Sequence, residues 1–217
     1  MFDILLESTL ETLQMVILST VFSTIIGLPL GILLHITAEE ENGGLVPMKV
    51  LNTVLSRIVN IFRSFPFIIL IILLMPLSRI IIGTAIGTAA TIVPLSIAAA
   101  PFVARLVESA LKEIDPQVIL AARAMGSTNS QIIWKVMIPE ALPSLVSGIT
   151  LTIINLIGYS AMAGALGGGG LGDLAIRYGY QRFRPSYMVA AVIIILVMVE
   201  LIQVVGNRIS NRLISKR

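Results

Sequence analysis

The chain has 217 residues, of which 56% are apolar and only 12% are charged. Ordinary soluble domains carry roughly 25% charged residues, so this composition predicts a membrane protein with room for one domain of several spans. The absence of cysteine excludes disulfides, iron–sulfur clusters and thiolate zinc sites. The net charge of +3 comes from basic residues beside apolar stretches, which bears on membrane orientation rather than on nucleic-acid binding.

The first predicted membrane span covers residues 13–36, which exceeds the roughly 20 apolar residues that a helix needs to cross a bilayer. Acidic residues stand before it where a secretory signal would be basic, so we expect the segment to be retained. Gly27 and Gly31 have the spacing that lets two helices approach closely, either within the subunit or across a dimer. His35 is the only histidine, which favours an interfacial side chain over a metal ligand.

The second predicted span covers residues 54–77 and begins with polar side chains. Pro66 should move Phe65 out of helical geometry and so kink or break the start of the span. Arg63 either extends to the membrane interface or belongs to a polar, kinked segment beside a pore. The glycines within residues 76–88 then predict a tight turn outside the membrane.

The third predicted span, residues 89–106, is rich in small residues and should be enclosed by other helices. Pro94 and Pro101 should bend it. Arg105 and Glu108 follow on one helical face as the chain leaves the membrane. As an exposed pair, these two side chains would contribute only about 0.3–0.5 kcal/mol to stability.

A short polar segment, residues 115–139, separates the third span from the fourth; we call it the knob. Asp115 can cap a helix that starts at Pro116, and Gly126 stands where a left-handed residue would end that helix. The apolar residues predicted on one face of this helix are Val118, Ile119, Ala122 and Met125. The knob should therefore begin with one short capped helix.

A second helical piece of the knob should begin directly afterwards. Thr128, with Gln131 three residues later, has the form of a capping box. Pro139 should interrupt the helix that this box opens. Because strongly apolar spans flank both pieces, the knob is predicted to be a structured protrusion at the membrane surface, presented to a partner outside the bilayer.

The fourth predicted span, residues 141–163, carries more polar side chains than a lipid-facing helix would, so it should face protein or water. Its polar positions are Ser144, Ser147, Thr150, Asn155 and Tyr159. Four consecutive glycines at 167–170 will not hold a helix, which predicts a loop. No Gly-Lys-Ser/Thr sequence follows, so these glycines do not form a phosphate-binding loop.

Residues 173–186 are predicted to form an external loop, and residues 187–205 the last span. Glu200 within this span should face another helix or lie near the inner interface, because a carboxylate exposed to lipid is unfavourable. The chain then ends in basic residues that are typical of a cytoplasmic anchor.

Five spans place the two ends of the chain on opposite sides of the membrane. With the C-terminus inside, 11 of the 15 lysines and arginines lie on the cytoplasmic side and 4 outside, as the positive-inside rule favours. The sequence therefore predicts an all-α polytopic membrane protein with five transmembrane helices and an external N-terminus. The knob, between the third and fourth spans, would be cytoplasmic, and residues 1–217 would form a single domain.

The knob resembles the EAA motif of ABC importer permeases, which reads Glu-Ala-Ala, then Gly, then Ile-x-Leu-Pro. The residues that carry the resemblance lie in Ala121-Ala122, Gly126 and Val136-Met137-Ile138-Pro139, while Leu120 stands at the usual acidic position. The resemblance implies a coupling helix that docks on a separate ATPase, so ATP and Mg would be bound by that partner and this chain would not be an enzyme. The implied docking residues are Ala121, Ala122, Arg123, Met125, Gly126, Ile138 and Pro139.

Four fragments resemble the methionine importer permeases in particular, over nearly the full length: NIFRSFPF, AAPFVARLVESALKEI, ARAMG with IPEALP, and YSAMAGALGGGGLG. This resemblance implies a homodimer in the bacterial inner membrane, two ATPase subunits, an external substrate-binding protein and methionine as substrate. The implied residues of the gate and translocation path are Asn155, Tyr159, Ser160 and Met162. Arg177 and Arg184 would contact the binding protein.

Other functions stay open on the sequence. The substrate of such an importer could be another amino acid or a small polar solute. An ion-coupled carrier should show inverted repeats, and an intramembrane enzyme should show a buried nucleophile with its base or a set of metal ligands. The sequence has a single histidine, isolated carboxylates and no evident repeat, which favours the importer.

Overall fold

The computed structural model describes residues 2–40 and 43–215, and every regular element in these ranges is helical. The helices are α1 (Phe2–Ile36), α2 (Lys49–Ser64), α3 (Phe67–Ile82), α4 (Thr88–Lys112) and α5 (Pro116–Ala124). They are followed by α6 (Asn129–Gly164), by α7, which starts as Gly170–Asp173 and continues as Leu174–Tyr180, and by α8 (Pro185–Ile214).

Four of these helices, α1, α4, α6 and α8, are long and apolar enough to cross a membrane. The pair α2 and α3 also has the required length and composition, but it is bent by 105° at the break between its two helices. The described residues therefore contain four candidate spans, or five if the bent pair counts as one. The predicted all-helical, polytopic class is confirmed.

The break between α2 and α3 lies where the sequence predicted one. Phe65 has extended backbone angles, φ −70° and ψ 131°, because the ring of Pro66 excludes the helical conformation from the residue before it. The prediction of a turn over residues 76–88 is wrong in its first half, since α3 continues through Pro76 to Ile82. The apolar run extends this far, and membrane helices tolerate an internal proline.

The predicted external loop at 173–186 is also mostly helical. Helix α7 occupies residues 170–180, its second part is a π-helix, and a turn at 181–184 leads into α8. No apolar run in this part of the sequence is long enough to indicate a helix. The loop predicted at the glycines is confirmed, because Gly167 and Gly169 have φ values of 85° and 78°.

The central packing is between α1 and α4. A Cβ atom on Gly27 would lie 2.6 Å from Cβ of Val103, and one on Gly31 would lie 2.5 Å from the carbonyl oxygen of Ala104. The small-residue spacing of α1 therefore brings two helices of one subunit together.

Buried apolar side chains form two main clusters at opposite ends of these helices. One includes Met15, Leu95, Leu156 and Leu171 and lies beside the glycine loop. The other includes Leu111, Ile119, Ile132 and Met137 and anchors the knob.

Candidate functional site

The first helix of the knob is capped at both ends by its own residues. The side chain of Asp115 accepts a hydrogen bond from the Gln117 amide at 2.9 Å, and Pro116 occupies the first helical position. At the other end Gly126 has φ +80°, and its amide donates to the Arg123 carbonyl at 2.9 Å. These are the cap and the left-handed stop that the sequence predicted.

The capping box at Thr128 is also present. The Thr128 amide donates to Oε1 of Gln131 at 2.9 Å, and the Gln131 amide donates to Oγ1 of Thr128 at 3.4 Å. The expectation that Pro139 interrupts the following helix is wrong, since α6 runs on to Gly164. A π-helical stretch, Ile132–Met137, stands directly before the proline, so Pro139 occupies the start of a new α-helical stretch, where its missing amide is tolerated.

The apolar residues of the knob divide between two surfaces. Ile119 and Ala122 are buried against the core, whereas Val118 and Met125, which the sequence placed on the same face, are exposed. This corrects the predicted single apolar face, because only two of its four residues meet the rest of the subunit.

The three most exposed large apolar side chains of the knob are Leu120, Met125 and Trp134, and we call them the knob patch. Leu120 is 54% exposed, Trp134 is 59% exposed and Met125 is 79% exposed. Because these side chains are exposed on a segment outside the predicted spans, they are available to a protein partner.

Most of the predicted docking residues are accessible. Ala121, Arg123, Met125, Gly126 and Pro139 are exposed, and Ile138 is half-buried. Ala122 is 2% exposed, so it packs the first knob helix onto the subunit and is not available to a partner.

The predicted gate residues lie towards the far end of α6. Tyr159 stacks on Phe67 of α3 with ring centroids 4.3 Å apart and an interplanar angle of 9°. Asn155 and Met162 lie on the same side of α6, and Met162 is exposed. The hydroxyl of Ser160 is buried and donates to the Ile157 carbonyl at 2.8 Å, so Ser160 faces the protein interior.

A capping interaction that the sequence did not reveal holds the start of α7. Oε2 of Glu11 accepts a hydrogen bond from the Gly170 amide at 2.6 Å, and Oγ1 of Thr12 accepts one from the Leu171 amide at 2.9 Å. These partners are 159 residues apart in the chain. Two residues of α1 therefore satisfy amides that a helix start leaves unpaired.

The glycine run permits this contact. A Cβ atom on Gly170 would lie 2.7 Å from Oγ1 of Thr12, and one on Gly172 would lie 2.3 Å from the Ala161 carbonyl oxygen. We call residues 164–180 the glycine-rich end. Glycine is needed in this segment for two reasons: neighbouring helices come too close for a side chain, and the turn requires positive φ angles.

The Arg105 and Glu108 pair is not exposed, contrary to the prediction. Glu108 is only 6% exposed, and its two oxygens accept from Arg105 at 2.5 Å and from Lys112 at 2.7 Å. The Arg105 guanidinium also donates to Oγ of Ser56 at 2.5 Å and to Oδ1 of Asn60 at 3.0 Å. Because α2 folds back onto α4, the pair becomes part of a network that joins these helices.

Helix α2 has a polar and an apolar side. Residues of its polar side border an open groove of about 780 Å³, among them Thr53, Arg57, Asn60 and Ser64. Exposed polar side chains next to membrane spans face water or protein rather than lipid. This arrangement favours the alternative of a polar, kinked segment beside a pore.

Two exposed aromatic side chains lie where α7 ends: Tyr180 is its last residue, and Phe183, in the turn that follows, is 88% exposed with φ 53°. Of the two predicted contact residues nearby, Arg177 forms an ion pair with Asp173, and Arg184 precedes α8 and is exposed. The surface therefore combines accessible aromatic rings with guanidinium groups.

Comparison with known proteins gives consistent matches. Residues 27–215 match the family described as the binding-protein-dependent transport system inner membrane component. A probable D-methionine transport system permease protein of Vibrio cholerae is 47% identical over 97% of this chain and 92% of its own length. A methionine import system permease protein of Bacillus subtilis is 49% identical over 85% of this chain and 82% of its own length.

A solved structure also matches. It is a chain of the MetNI methionine ABC transporter in an inward-facing conformation, 47% identical in sequence. The TM-score is 0.95, and the match covers 98% of this chain and 97% of that chain.

Proposed function

This chain belongs to the family of binding-protein-dependent transport system inner membrane components, and from that premise we propose that it is the permease subunit of an ATP-driven methionine importer. The observation that carries the proposal is the match to a methionine ABC transporter chain over 98% of the sequence, with a TM-score of 0.95. The chain itself is not an enzyme. ATP is hydrolysed by a separate subunit.

Two copies of the chain form the translocation path, with two ATPase subunits on the cytoplasmic side and a substrate-binding protein outside. A two-fold axis is the usual symmetry of such an assembly, and in this proposal the polar side of α2 and the gate residues of α6 face the cavity between the two copies. When the ATPase subunits close on ATP, they move the two knobs together. The spans then alternate between inward-open and outward-open states, and methionine released by the binding protein passes between the subunits.

The arrangement in the membrane is five transmembrane helices, with the bent α2–α3 pair as the second, in one permease domain that spans residues 1–217. The N-terminus is external, the C-terminus is cytoplasmic, and the knob is a cytoplasmic coupling segment. The distribution of basic residues supports this orientation, with 11 of 15 on the cytoplasmic side.

The orientation can be tested by labelling, because the chain has no cysteine of its own. Ser130 is exposed on the knob. A Ser130→Cys protein in intact cells should resist a membrane-impermeant thiol reagent and react with it after permeabilisation. Labelling of intact cells would place the knob outside and contradict the importer assignment.

The ATPase contacts the accessible part of the knob: Ala121, Arg123, Met125, Gly126, Ile138 and Pro139, together with the knob patch. Ala122 supports this surface from beneath. Asn155, Tyr159 and Met162 line the path near its external end, and Ser160 stabilises α6 behind them. Arg177 and Arg184, with the neighbouring aromatic rings, contact the binding protein.

The docking assignment is tested at Gly126, which has φ +80° and open space for 4 Å around the point where a Cβ atom would lie. Gly126→Leu adds bulk to the docking surface, so it should leave insertion intact, abolish co-purification with the ATPase and abolish methionine uptake. Gly126→Asn is the matched control, because asparagine tolerates the left-handed conformation, and it should retain most uptake. Normal uptake by the leucine variant would contradict docking at this position.

A further inference from the structure

An open groove of about 510 Å³ lies between α6 and α8. Its lining is almost entirely aliphatic and includes Leu145, Ile149 and Ile153 of α6 with Leu201, Val205 and Ile209 of α8. Among the described residues that line it, only Thr150 carries a hydroxyl group, and this hydroxyl donates to the Val146 carbonyl at 2.8 Å. The groove therefore offers apolar contacts to a ligand and no polar group that needs a partner.

The floor of the groove is a close contact between the two helices. A Cβ atom on Gly206 would lie 2.2 Å from Oγ1 of Thr150. Beside this contact the aliphatic side chains of α8 are uncovered: Leu201 is 59% exposed and Val205 is 53% exposed. Both helices are candidate membrane spans, and lipid tails are as apolar as a leucine side chain. A hydrocarbon chain is therefore the natural occupant of this surface.

The groove lies on the side of α6 that faces away from the proposed translocation path. Met162, one of the predicted gate residues, follows Ile153 by nine residues, which is about two and a half helical turns. Their side chains therefore point to opposite sides of α6. In the proposed dimer the gate side faces the cavity between the two copies, so the groove faces outward, towards the surrounding bilayer.

Two arginines stand at the end of the groove that is nearer the C-terminus. Arg212 follows Ile209 by three residues on α8, about 4.5 Å farther along the axis, and Arg208 is its neighbour at i, i+4 spacing. Both are exposed, and neither forms an ion pair or a side-chain hydrogen bond with another described residue. Like charges at this spacing destabilise a helix, so the pair favours an anion beside it.

We propose that the groove binds an anionic phospholipid of the cytoplasmic leaflet. One acyl chain lies along the aliphatic lining, and the phosphate group pairs with Arg208 and Arg212. Basic pockets between membrane helices on the cytoplasmic side are suited to acidic lipid headgroups, and the volume is within the usual range for small-molecule sites. The choice of leaflet rests on the proposed function, which places the C-terminus in the cytoplasm.

The test uses the assembled importer in nanodiscs that contain phosphatidylglycerol and phosphatidylcholine with the same acyl chains. Native mass spectrometry counts the lipids that stay bound when the disc is removed. Wild-type importer should retain two phosphatidylglycerol molecules per permease dimer, one for each groove, and lose phosphatidylcholine. The double variant Arg208→Gln/Arg212→Gln should bind phosphatidylglycerol about thirtyfold more weakly. Arg63→Gln, at an exposed position of α2 that does not line the groove, is the control and should retain both lipids.

A second pair of variants tests the groove itself. Leu201→Trp fills the groove from α8 and should remove the same two lipids. Leu196→Trp is the matched control, because Leu196 is 62% exposed and does not line the groove, and it should retain them. Full retention by Leu201→Trp or by the double arginine variant, or equal retention of phosphatidylcholine, would overturn the proposal. Dissociation of the permease dimer in Leu201→Trp would also overturn it, since the groove would then be an interface between two copies.

ATP-driven methionine uptake by the same importers, in sealed vesicles with their binding protein, separates this failure from that of the proposed function. Uptake by the wild-type importer without arginine-dependent lipid retention would refute the lipid site alone. Absence of uptake would refute the proposed function.

Discussion

The knob and the glycine-rich end are both short segments between candidate membrane spans, yet they are held in opposite ways. The knob is shaped by hydrogen bonds between near neighbours, such as Asp115 with Gln117 and Thr128 with Gln131. The glycine-rich end is fixed by partners that are distant in the chain, since Glu11 and Thr12 cap α7.

Their glycines differ in the same way. Gly126 in the knob is there for its left-handed backbone and has open space around it. Gly172 is there because the backbone of α6 is so close that a side chain would collide with it. The knob therefore takes its shape from its own residues, whereas the glycine-rich end takes its shape from contacts with α1 and α6.

The largest effect should come from Gly172→Ala. The added Cβ would lie 2.3 Å from the carbonyl oxygen and 2.5 Å from Cα of Ala161, and backbone atoms in a packed helix cannot move aside easily. We expect a loss of about 3 kcal/mol or more in folding stability, seen as a lower apparent melting temperature and less folded protein in detergent.

Two alanine controls sharpen this comparison. Gly126→Ala should lower stability by only about 1–2 kcal/mol, from the left-handed backbone alone. Gly158→Ala, at a helical position of α6 with no heavy atom within 4 Å of the new Cβ, should be neutral or slightly stabilising. If Gly172→Ala and Gly158→Ala lowered the folding stability equally, close packing would not be what determines the stability of the glycine-rich end.

A smaller effect is expected from Glu11→Ala, which removes the carboxylate that caps α7. A hydrogen bond to a charged group contributes about 1.5–3 kcal/mol, so uptake and thermal stability should both fall. Co-purification with the ATPase should be unchanged, because the knob is shaped independently. Glu7→Ala is the control, since Glu7 lies one turn earlier on α1 and is exposed.

Partial rescue by Glu11→Gln would support the capping role, because an amide oxygen can still accept the Gly170 hydrogen bond. Loss of ATPase co-purification in Glu11→Ala would contradict the conclusion that the knob is shaped independently of the glycine-rich end. It would mean that the two ends are coupled already in the resting fold.

The smallest effect should come from Thr128→Ala, which removes one half of the capping box. Loss of such a cap typically lowers helix stability by about 1 kcal/mol, and if docking requires the ordered knob, ATPase affinity should fall roughly fivefold. Ser130→Ala, an exposed change that leaves the cap intact, should bind normally. The affinity of each purified variant for the ATPase is measured by titration. Equal affinities of the Thr128→Ala and Ser130→Ala variants would show that the cap has no part in docking.

The sequence predicted the knob better than it predicted the glycine-rich end. Caps and turn glycines act over a few residues, so Asp115, Gly126 and Thr128 could be interpreted one at a time. The prediction that Pro139 interrupts the helix was wrong because no sequence pattern indicates the π-helical stretch before it. The capping role of Glu11 could not be found at all, since nothing in the sequence pairs a residue of α1 with an amide 159 residues away.

The sequence also did not predict which polar side chains are buried. Arg105 and Glu108 look like an ordinary surface pair, and only the fold of α2 onto α4 encloses them and brings Ser56 and Asn60 to the guanidinium group. His35 similarly lies at the end of an apolar run, and its burial depends on the loop that folds back over it.

Hydrophobic runs, caps and the placement of basic residues by themselves determined a helical membrane protein with a structured knob between two spans, because these signals depend on neighbours in the chain and on the bilayer. The tertiary structure alone decided the clamp on α7, the burial of Glu108 and the enclosure of His35. Those features arise where segments far apart in sequence come within hydrogen-bonding or van der Waals distance, and that proximity exists only after the helices have packed.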